Sequence, residues 1–272
     1  MVLLGKKIAV AIPDTVLEEH PAARDKTIKL GGIARTCAIF GVDEIIVFRD
    51  PKGRGEGKMM KRVLEYLETP QYLRKRLFGF DEALRYAGLL PPLRIPSHKP
   101  KVPVEKLKEG EFREGVALAD GTVDIGLDRR LRLNQKTAAA NTRVTVRITR
   151  NSPLSGELVD RTAPSEYWGY TVELKTVGEL IVDSMYEVKI AASRYGNNLT
   201  SILNETRESV TKSRSTMLIF GSPSRGLFDI IGSELTERVD FVVNLFPEQH
   251  VETVRTEEAI SAGLYFLNLV LM

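Results

Sequence analysis

Two turn-rich loops near the end of the chain carry residue types suited to holding a small molecule. The first, Ile219 to Ile231, reads IFGSPSRGLFDII, and the second, Val243 to Ile260, reads VNLFPEQHVETVRTEEAI. Each follows a short apolar run typical of a buried parallel strand and precedes a helical pattern. Loops after adjacent parallel strands build the ligand crevice of an open α/β sheet, so the sequence predicts a binding site here.

A third loop, Arg49 to Lys58, is rich in glycine and basic residues and reads RDPKGRGEGK. Its backbone amides could cradle a phosphate group. It could equally be a flexible, solvated connection, and it lacks the Gly-Lys-Ser/Thr ending of a nucleotide P-loop because Met59 follows Lys58. Both interpretations of the loop stay open. A related hypothesis for the whole protein is a nucleotide-binding enzyme that uses Gly53 to Gly57.

Composition indicates a water-soluble globular protein with a mildly basic balance. The 272 residues, 43% hydrophobic and 28% charged, suffice for one large or two modest domains. A net charge of +3 permits a nucleic-acid partner without requiring one. No apolar run reaches the ~18 residues of a membrane span, and the single cysteine, Cys37, suits a reducing compartment. We therefore expect a cytoplasmic protein without a membrane segment.

Metal-binding spacing is not evident in the sequence. His20 and His98 lie in proline-flanked loops, and one cysteine cannot complete a ligand set with them. We expect no metal.

The first part of the chain follows an α/β pattern. Lys6 to Ile12 and Asp43 to Phe48 are predicted strands, and Ala22 to Phe40 is a predicted helix between them, which makes a parallel βαβ unit. Helical patterns follow at Lys61 to Thr69 and Gln71 to Arg85.

The pattern changes at Pro91 to short alternating runs separated by turns, which continue to about Lys175. An example is Gly115 to Leu127, in which Asp120-Gly121 is a hairpin signal. Several short strands at this spacing predict a small barrel or sandwich.

Two features of this middle segment have alternative interpretations. In the predicted strand Arg143 to Thr149, one face carries Arg143, Thr145, Arg147 and Thr149. That face is either a groove for a nucleic-acid backbone or an ordinary solvent-facing surface. Trp168 is either a stacking platform for a base or, the favoured interpretation, part of the core.

The α/β pattern returns after the insertion. Thr176 to Ser184 is a predicted helix, Tyr186 to Ala192 a strand, and Asn197 to Thr211 an amphipathic helix. Thr256 is a plausible N-cap for a last helix with an unusually wide apolar face. The sequence thus predicts a discontinuous α/β domain, residues 1–90 and 176–272, interrupted by a β-rich domain at residues 91–175.

The two C-terminal loops, together with IKLGGIARTCAIFGVDEIIVFRDP (Ile28 to Pro51) and ASRYG (Ala192 to Gly196), resemble the SPOUT class of methyltransferases. The chain is similar, nearly end to end, to the archaeal and eukaryotic branch of RNA methyltransferases in that class. The resemblance implies a parallel α/β sheet with a C-terminal trefoil knot. It also implies an inserted OB-like β-barrel that binds RNA, and a homodimer formed through the knot and the last helix.

The resemblance further implies that S-adenosyl-L-methionine is the cofactor and that it binds among three loops. The residues carried over by position are Ser193, Arg194, Gly196, Gly221, Ser222, Pro223, Gly226, Leu227, Asn244, Leu245, Phe246, Pro247 and Val254. Small residues would let the backbone approach adenine, and leucine and valine would pack on its faces. Alternatively, the glycines only form tight turns.

The chain departs from the class at one turn. Pro247-Glu248-Gln249-His250 stands where the class often has a Pro-Gly-Gln-Gly type turn. Without the two glycines this turn loses φ freedom, which bears on the loop geometry and on donor affinity.

Methyl transfer requires alignment of the acceptor and removal of its proton, yet no strong general base is evident near these loops. Arg194 and Arg225 are the catalytic candidates, as cations that hold a phosphate or stabilise negative charge on the acceptor. For Arg225 the alternative is a salt bridge to Asp229.

The sequence as a whole therefore indicates an S-adenosylmethionine-dependent RNA methyltransferase that acts on a base of structured RNA. A uridine of rRNA is expected rather than a tRNA nucleotide. The alternative is a non-catalytic RNA-binding or ribosome-assembly factor that retains the knot fold, and donor binding distinguishes the two.

Overall fold

The structure, a computed structural model, describes residues 5–134 and 138–271. The strands are β1 (Lys7–Pro13), β2 (Glu44–Arg49), β3 (Phe112–Ala117), β4 (Thr122–Asp124), β5 (Leu131–Leu133), β6 (Arg143–Asn151), β7 (Leu154–Val159), β8 (Thr171–Thr176), β9 (Val188–Asn198), β10 (Ser215–Ile219) and β11 (Phe241–Asn244). The α-helices are α1 (Ala23–Ile39), α2 (Gly57–Glu68), α3 (Gln71–Phe78), α4 (Val177–Ile181), α5 (Leu199–Lys212), α6 (Leu227–Ile230), α7 (Leu235–Arg238) and α8 (Thr256–Leu271).

These elements form two compact units. The first comprises residues 1–65, 86–91 and 170–272, and the second comprises residues 66–85 and 92–169. The division falls within α2. Each unit has its own sheet and its own apolar core.

The first unit is built on a six-stranded parallel sheet in the order β11-β9-β10-β1-β2-β8. In β1, Ile8 to Ile12 are at most 1% exposed, as expected for a central strand covered on both faces. Because all pairs are parallel, the carboxyl ends of β11, β9, β10, β1 and β2 follow one another along one edge. The predicted α/β fold with a parallel sheet is confirmed, whereas the trefoil knot stays a prediction.

Helix α1 packs through the face that its spacing predicts. Leu30, Ile33, Ala34 and Cys37 are fully buried, and the helix ends before Gly41, whose φ of 68° favours glycine. Burial strongly raises the pKa of the Cys37 thiol. The thiol is therefore protonated and inert in the folded protein.

Helix α8 lies close to the end of β10. A Cβ atom placed on Gly263 would lie 2.9 Å from Cζ of Phe220, so glycine is required for this approach. The hydroxyl of Thr256, the first residue of α8, donates to the carbonyl of Gly221 at 3.2 Å. The start of the helix is thus tied to the loop that follows β10.

The second unit contains a closed five-stranded barrel in the order β3-β4-β5-β7-β6. The pairs are antiparallel except β5 with β7, an arrangement consistent with the predicted OB-like barrel. The barrel interior is apolar and fully or largely buried, with a core of Val104, Leu107, Val123, Ile125, Leu131, Val146, Ile148 and Leu154.

A buried ionic network in this unit occupies part of the polar face of β6, which was interpreted as either a nucleic-acid groove or a solvent-facing surface. Arg143 pairs with both Glu68 and Glu114, and Thr145 donates to Glu114 at 2.6 Å. Trp168 is 6% exposed and donates from Nε1 to the same carboxylate at 2.6 Å, which confirms its predicted role in the core. Arg143 and Thr145 thus serve buried carboxylates, which require such partners, whereas Arg147 on the same face is exposed and pairs with Glu157.

The structure also moves the predicted domain boundaries. Residues 171–175 belong to β8, which pairs with β2 in the large sheet, because their alternating pattern fits a parallel edge strand as well as a barrel strand. Residues 66–85 cluster with the barrel unit rather than with the α/β domain. The helix predicted to reach Arg85 ends at Phe78, since Gly79 has a φ of 58°.

Candidate functional site

The candidate site is a cavity of about 470 Å³ at the carboxyl ends of β9, β10 and β11. Its volume lies within the range of roughly 300–1,000 Å³ that small-molecule sites occupy. The lining combines apolar side chains with hydroxyl, amide and guanidinium groups. The cavity lies where the two C-terminal loops were predicted to build a site.

Most of the predicted donor residues lie around this cavity. Those that line it are Ser193, Arg194, Gly221, Ser222, Pro223, Gly226, Leu227, Asn244, Leu245, Phe246 and Val254, and Arg225 joins them. Gly196 and Pro247 do not line it. Further lining residues that the sequence did not single out include Tyr195, Ser224, Asp229, Glu252 and Thr256. These residues lie close in sequence to the predicted site residues, and this proximity is the only sequence signal that could have identified them.

The segment Ala192 to Gly196, one of the three loops predicted to hold the donor, is a bulge within β9. The pairing of β9 with β11 jumps from Ala191–Val242 to Asn197–Val243, so residues 192–196 have no partner on β11. Bulges re-aim side chains and recur next to active sites. Gly196 closes this bulge, because a Cβ there would lie 2.7 Å from the carbonyl of Val242. Its role is close backbone approach rather than contact with the cavity.

The loop after β10 is compact and held by its own backbone. The amide of Ser222 donates to the carbonyl of Arg225 at 2.9 Å, and the amide of Arg225 donates to the Ser222 hydroxyl at 3.1 Å. A Cβ on Gly221 would lie 2.9 Å from that same carbonyl. Gly226 donates its amide to the Asp229 carboxylate at 3.1 Å. The small residues therefore allow a tight turn that also borders the cavity.

The altered turn in the loop after β11 is accommodated without strain. Neither Glu248 nor His250 adopts a positive φ, so glycine is not required at either position. The side chain of Gln249 donates to the carbonyls of Val251 and Glu252 at 2.9 and 3.2 Å. The glutamine that this turn shares with the class pattern therefore holds the loop through its side chain.

Arg194 lies against its neighbour Tyr195 at the cavity. Its Nη2 donates to the tyrosine hydroxyl at 3.0 Å, and its guanidinium carbon lies 4.9 Å from the ring centroid. Tyr195 is 69% exposed and also contacts Phe228 edge-on at 6.3 Å. The arrangement presents an aromatic ring and a cation together, a combination that can stack on a nucleobase and hold a phosphate.

Arg225 forms a salt bridge, but its partner is Asp50 rather than the predicted Asp229. Arg225 Nη1 lies 2.5 Å from Asp50 Oδ2, and Nη2 donates to the backbone carbonyl of Asp229 at 3.0 Å. The prediction was wrong because it considered only a partner one turn away on the same segment. Asp50 comes from the end of β2 and is fully buried.

The glycine-rich loop after β2 does not offer a phosphate cradle at its start. The amide of Lys52 donates to the Asp50 carboxylate, that of Gly53 to the Asp50 carbonyl, and that of Arg54 to Glu18. These three successive N–H groups are occupied internally, so they cannot bind phosphate together. The loop folds over Asp50 instead.

In the part of the chain that the structure describes, no group of three or more histidine, cysteine, aspartate or glutamate side chains could hold a metal ion. Within residues 5–134 and 138–271, no helix is both long and apolar enough to cross a membrane.

Comparison with known proteins identifies the family. A family model described as "Putative RNA methyltransferase" matches residues 7–267. The chain belongs to this family. An uncharacterised protein of Halobacterium salinarum is 33% identical over 286 residues, covering 96% of this chain and 98% of that protein. Human and mouse proteins, each named 28S rRNA (uridine-N(3))-methyltransferase, are 32% identical, covering 94% of this chain and 76% and 74% of their own.

Membership in this family confirms the predicted reaction class. An RNA methyltransferase requires a methyl donor and an RNA acceptor. Of the features described above, the cavity at the ends of β9, β10 and β11 has the size and mixed lining that a donor of nucleoside size requires.

Proposed function

We propose that the chain is an S-adenosylmethionine-dependent methyltransferase that modifies N3 of a uridine in large-subunit ribosomal RNA. The observation that carries the proposal is the cavity formed by three strand ends in a member of an RNA methyltransferase family. The human and mouse relatives, whose names specify uridine N3 of 28S rRNA, supply the acceptor.

The cavity lining fits the donor. Leu227, Leu245 and Val254 line the cavity and would supply apolar walls for the faces of adenine. When bound, S-adenosylmethionine supplies a methyl group whose bond to sulfur breaks as a bond to the acceptor nitrogen forms, leaving S-adenosylhomocysteine.

The cations beside the cavity would serve the acceptor. Methylation at N3 of uridine displaces a proton, which passes to water, and negative charge develops over the uracil ring and its two carbonyl oxygens. Arg225 and Arg194 line the cavity and would stabilise that charge or hold a neighbouring phosphate. Removing one such preorganised donor typically lowers kcat by about 10²–10³-fold.

The barrel unit would grip the RNA through two exposed arginines that lie outside the face formed by Arg143, Thr145, Arg147 and Thr149. Arg132 on β5 and Arg150 on β6 both pair in register with Ser155 on β7, which lies between them. Both arginines are exposed, and neither forms an ion pair within the described residues. Two cations in one row across three strands are suited to successive phosphates.

A second copy of the chain would cover the outer side of α1 and α8. Ile39 on α1 is 65% exposed, and Tyr265 and Leu269 on α8 are 60% and 41% exposed. A groove between the two helices is bordered by Phe40 and Ala262. Neighbouring exposed apolar side chains on packed helices are typical of an interface, so we propose a homodimer. We also propose that the protein acts in the cytoplasm.

The alternative of a non-catalytic assembly factor rested on the altered turn at Pro247-Glu248-Gln249-His250. That turn adopts no left-handed residue, so its sequence does not argue against donor binding. The deciding experiment is transfer of tritium from S-[methyl-³H]adenosylmethionine to large-subunit rRNA from cells that lack the gene, with the product nucleoside identified by mass spectrometry. N3-methyluridine is expected; donor binding without transfer to any RNA would overturn the proposal.

A further inference from the structure

Three neighbouring strand ends meet beside the donor cavity. Asp14 and Thr15 lie at the end of β1, Asp50 follows β2, and Arg225 belongs to the loop after β10. The carboxylate of Asp50 receives Arg225 Nη1, the Thr15 hydroxyl at 3.3 Å and the Lys52 amide at 2.9 Å. Asp50 is fully buried and is not among the residues that line the cavity.

This cluster is an inefficient way to stabilise a fold. Asp14, a second carboxylate that is only 4% exposed, accepts the amide of Asp50 at 3.0 Å. Burial is the main cause that raises the pKa of Asp14. Desolvation offsets much of the attraction within a buried ion pair, and apolar side chains of similar volume would usually serve stability as well. The charges of Asp50 and Arg225 therefore point to a functional role for the guanidinium that Asp50 binds.

The guanidinium of Arg225 is bound by two groups of the protein and has a further edge that faces the cavity. Asp50 binds Nη1, and the backbone carbonyl of Asp229 accepts from Nη2 at 3.0 Å. Nε and the second hydrogen of Nη2 have no partner among residues 5–134 and 138–271, while the side chain as a whole is 20% exposed and borders the cavity. A guanidinium fixed in this way offers a preset edge to a ligand.

The glycine-rich loop after β2 completes the arrangement. A Cβ on Gly53 would overlap Thr15 Cγ2 and approach Asp14 Oδ1 to 3.1 Å. Glycine at position 53 thus lets the loop pack closely against Asp14, Thr15 and Asp50. The loop therefore serves to cover these side chains, whereas its occupied amides do not suit phosphate binding.

We propose that Asp50 is a positioning residue that fixes the guanidinium of Arg225, so that its free edge meets the acceptor base during methyl transfer. Asp50 acts through Arg225 and touches neither donor nor acceptor. The role in transfer rests on the proposed function, whereas the fixing of Arg225 is a property of the protein alone.

The first measurement is structural and does not depend on activity. Crystal structures of the full chain and of Asp50→Asn are compared at the Arg225 side chain. The guanidinium is expected to leave its position or to become disordered in the variant. A guanidinium that keeps its place without the carboxylate charge overturns the proposal, whatever the enzyme does.

The second measurement is a double-mutant cycle on tritium transfer to large-subunit rRNA. Asp50→Asn is expected to lower kcat by about 10–10²-fold, the usual effect of a misplaced catalytic group, with KM for the donor within about threefold. Arg225→Gln is expected to lose about 10²-fold or more. The double variant is expected to be no slower than Arg225→Gln alone, because Asp50 has no function without its arginine.

Glu44→Gln is the matched control. Glu44 is also buried and ion-paired, to Lys7, but it lies at the opposite end of β2. Its loss is expected to lower the thermal midpoint and leave kcat unchanged. If Asp50→Asn behaves like this control, or if the effects of the two site variants multiply, the proposal is wrong. If the wild-type protein transfers no methyl group, the proposed function fails, and the crystallographic comparison still decides the positioning of Arg225.

Discussion

The side-chain amide of Asn244 donates to the backbone carbonyl of Arg194 at 3.0 Å. The oxygen of the same amide accepts from the backbone of Phe246, also at 3.0 Å. Arg194 belongs to the bulge of β9, whereas Phe246 belongs to the loop after β11. One side chain thus holds two walls of the donor cavity at a fixed separation, while remaining outside the apolar core.

Asn244→Ala is therefore expected to weaken donor binding much more than folding. Two hydrogen bonds of about 0.5–1.5 kcal/mol each correspond to a rise in the dissociation constant of up to roughly 5- to 150-fold. Titration calorimetry with S-adenosylmethionine measures it. Asn204→Ala, at an exposed position on α5, is the control and is expected to bind as the wild type does. Equal affinity of both variants would show that the loops hold their places without Asn244.

Gly196→Ala is expected to destabilise the first unit and abolish donor binding together. The added methyl group would lie 2.7 Å from backbone atoms of Val242 and Val243, which cannot move without separating β9 from β11. Overpacking of this kind typically costs about 1–3 kcal/mol. Gly178→Ala on α4 has room for the methyl group and is expected to be neutral or slightly stabilising. Denaturant unfolding compares the two, and equal midpoints would contradict the close approach.

Acid is expected to weaken the barrel unit in two stages. Burial lowers the pKa of His98 from its usual 6.5. Burial alone would raise the pKa of Glu114, but Arg143, Thr145 and Trp168 outweigh it and hold that pKa below 4.5. Both groups bind protons more readily when unfolded, so stability falls first as the pH drops below 6.5 and further below 4.5.

The single tryptophan makes this acid dependence measurable in the intact chain. Trp168 lies in the barrel unit and donates to Glu114, so its fluorescence reports unfolding there. Glu114→Gln is expected to lower stability by about 3–5 kcal/mol, since it leaves Arg143 short of a buried partner. It is also expected to remove the stage below pH 4.5 while retaining the earlier one. A variant with the wild-type acid profile would exclude Glu114 as the titrating group.

Periodicity predicted the regular elements of the first unit well. The burial of β1 and the apolar spacing of α1 are local patterns, and each specifies a strand or a helix without reference to the rest of the chain. The boundary at β8 was missed because an edge strand alternates in the same way as a barrel strand. Pairing partners are decided by tertiary contact, which a single segment does not encode.

Position along the chain was enough to select residues that lie around one cavity, and their part in donor binding stays a prediction. The partner of Arg225 could not be found in this way, since Asp50 lies 175 positions away along the chain. The partners of Arg143 on β6 could not be found in this way either, because Glu68 and Glu114 come from distant segments.

Tyr265→Glu on α8 is expected to convert the proposed homodimer into a monomer. A charge on the exposed apolar surface formed by Tyr265, Leu269 and Ile39 would have to be desolvated on association. Sedimentation equilibrium measures the mass directly. Glu205→Gln, at an exposed position on α5, is the control. It is preferred to a change at Arg207, which donates to the carbonyl of Leu269. A monomeric wild-type protein would exclude the interface.

Replacement of both Arg132 and Arg150 by serine is expected to weaken RNA binding in a salt-dependent manner. Each phosphate contact contributes about 0.7–0.9 to the slope of log affinity against log salt, so the loss of two lowers the magnitude of the slope by roughly 1.4–1.8. Fluorescence anisotropy with a labelled large-subunit rRNA fragment, measured at several salt concentrations, gives that slope. Arg147→Ser is the matched control, because Arg147 is already neutralised by Glu157 on the neighbouring strand. If the double variant binds RNA more weakly but keeps the wild-type slope of log affinity against log salt, the two arginines support the barrel rather than contact phosphate.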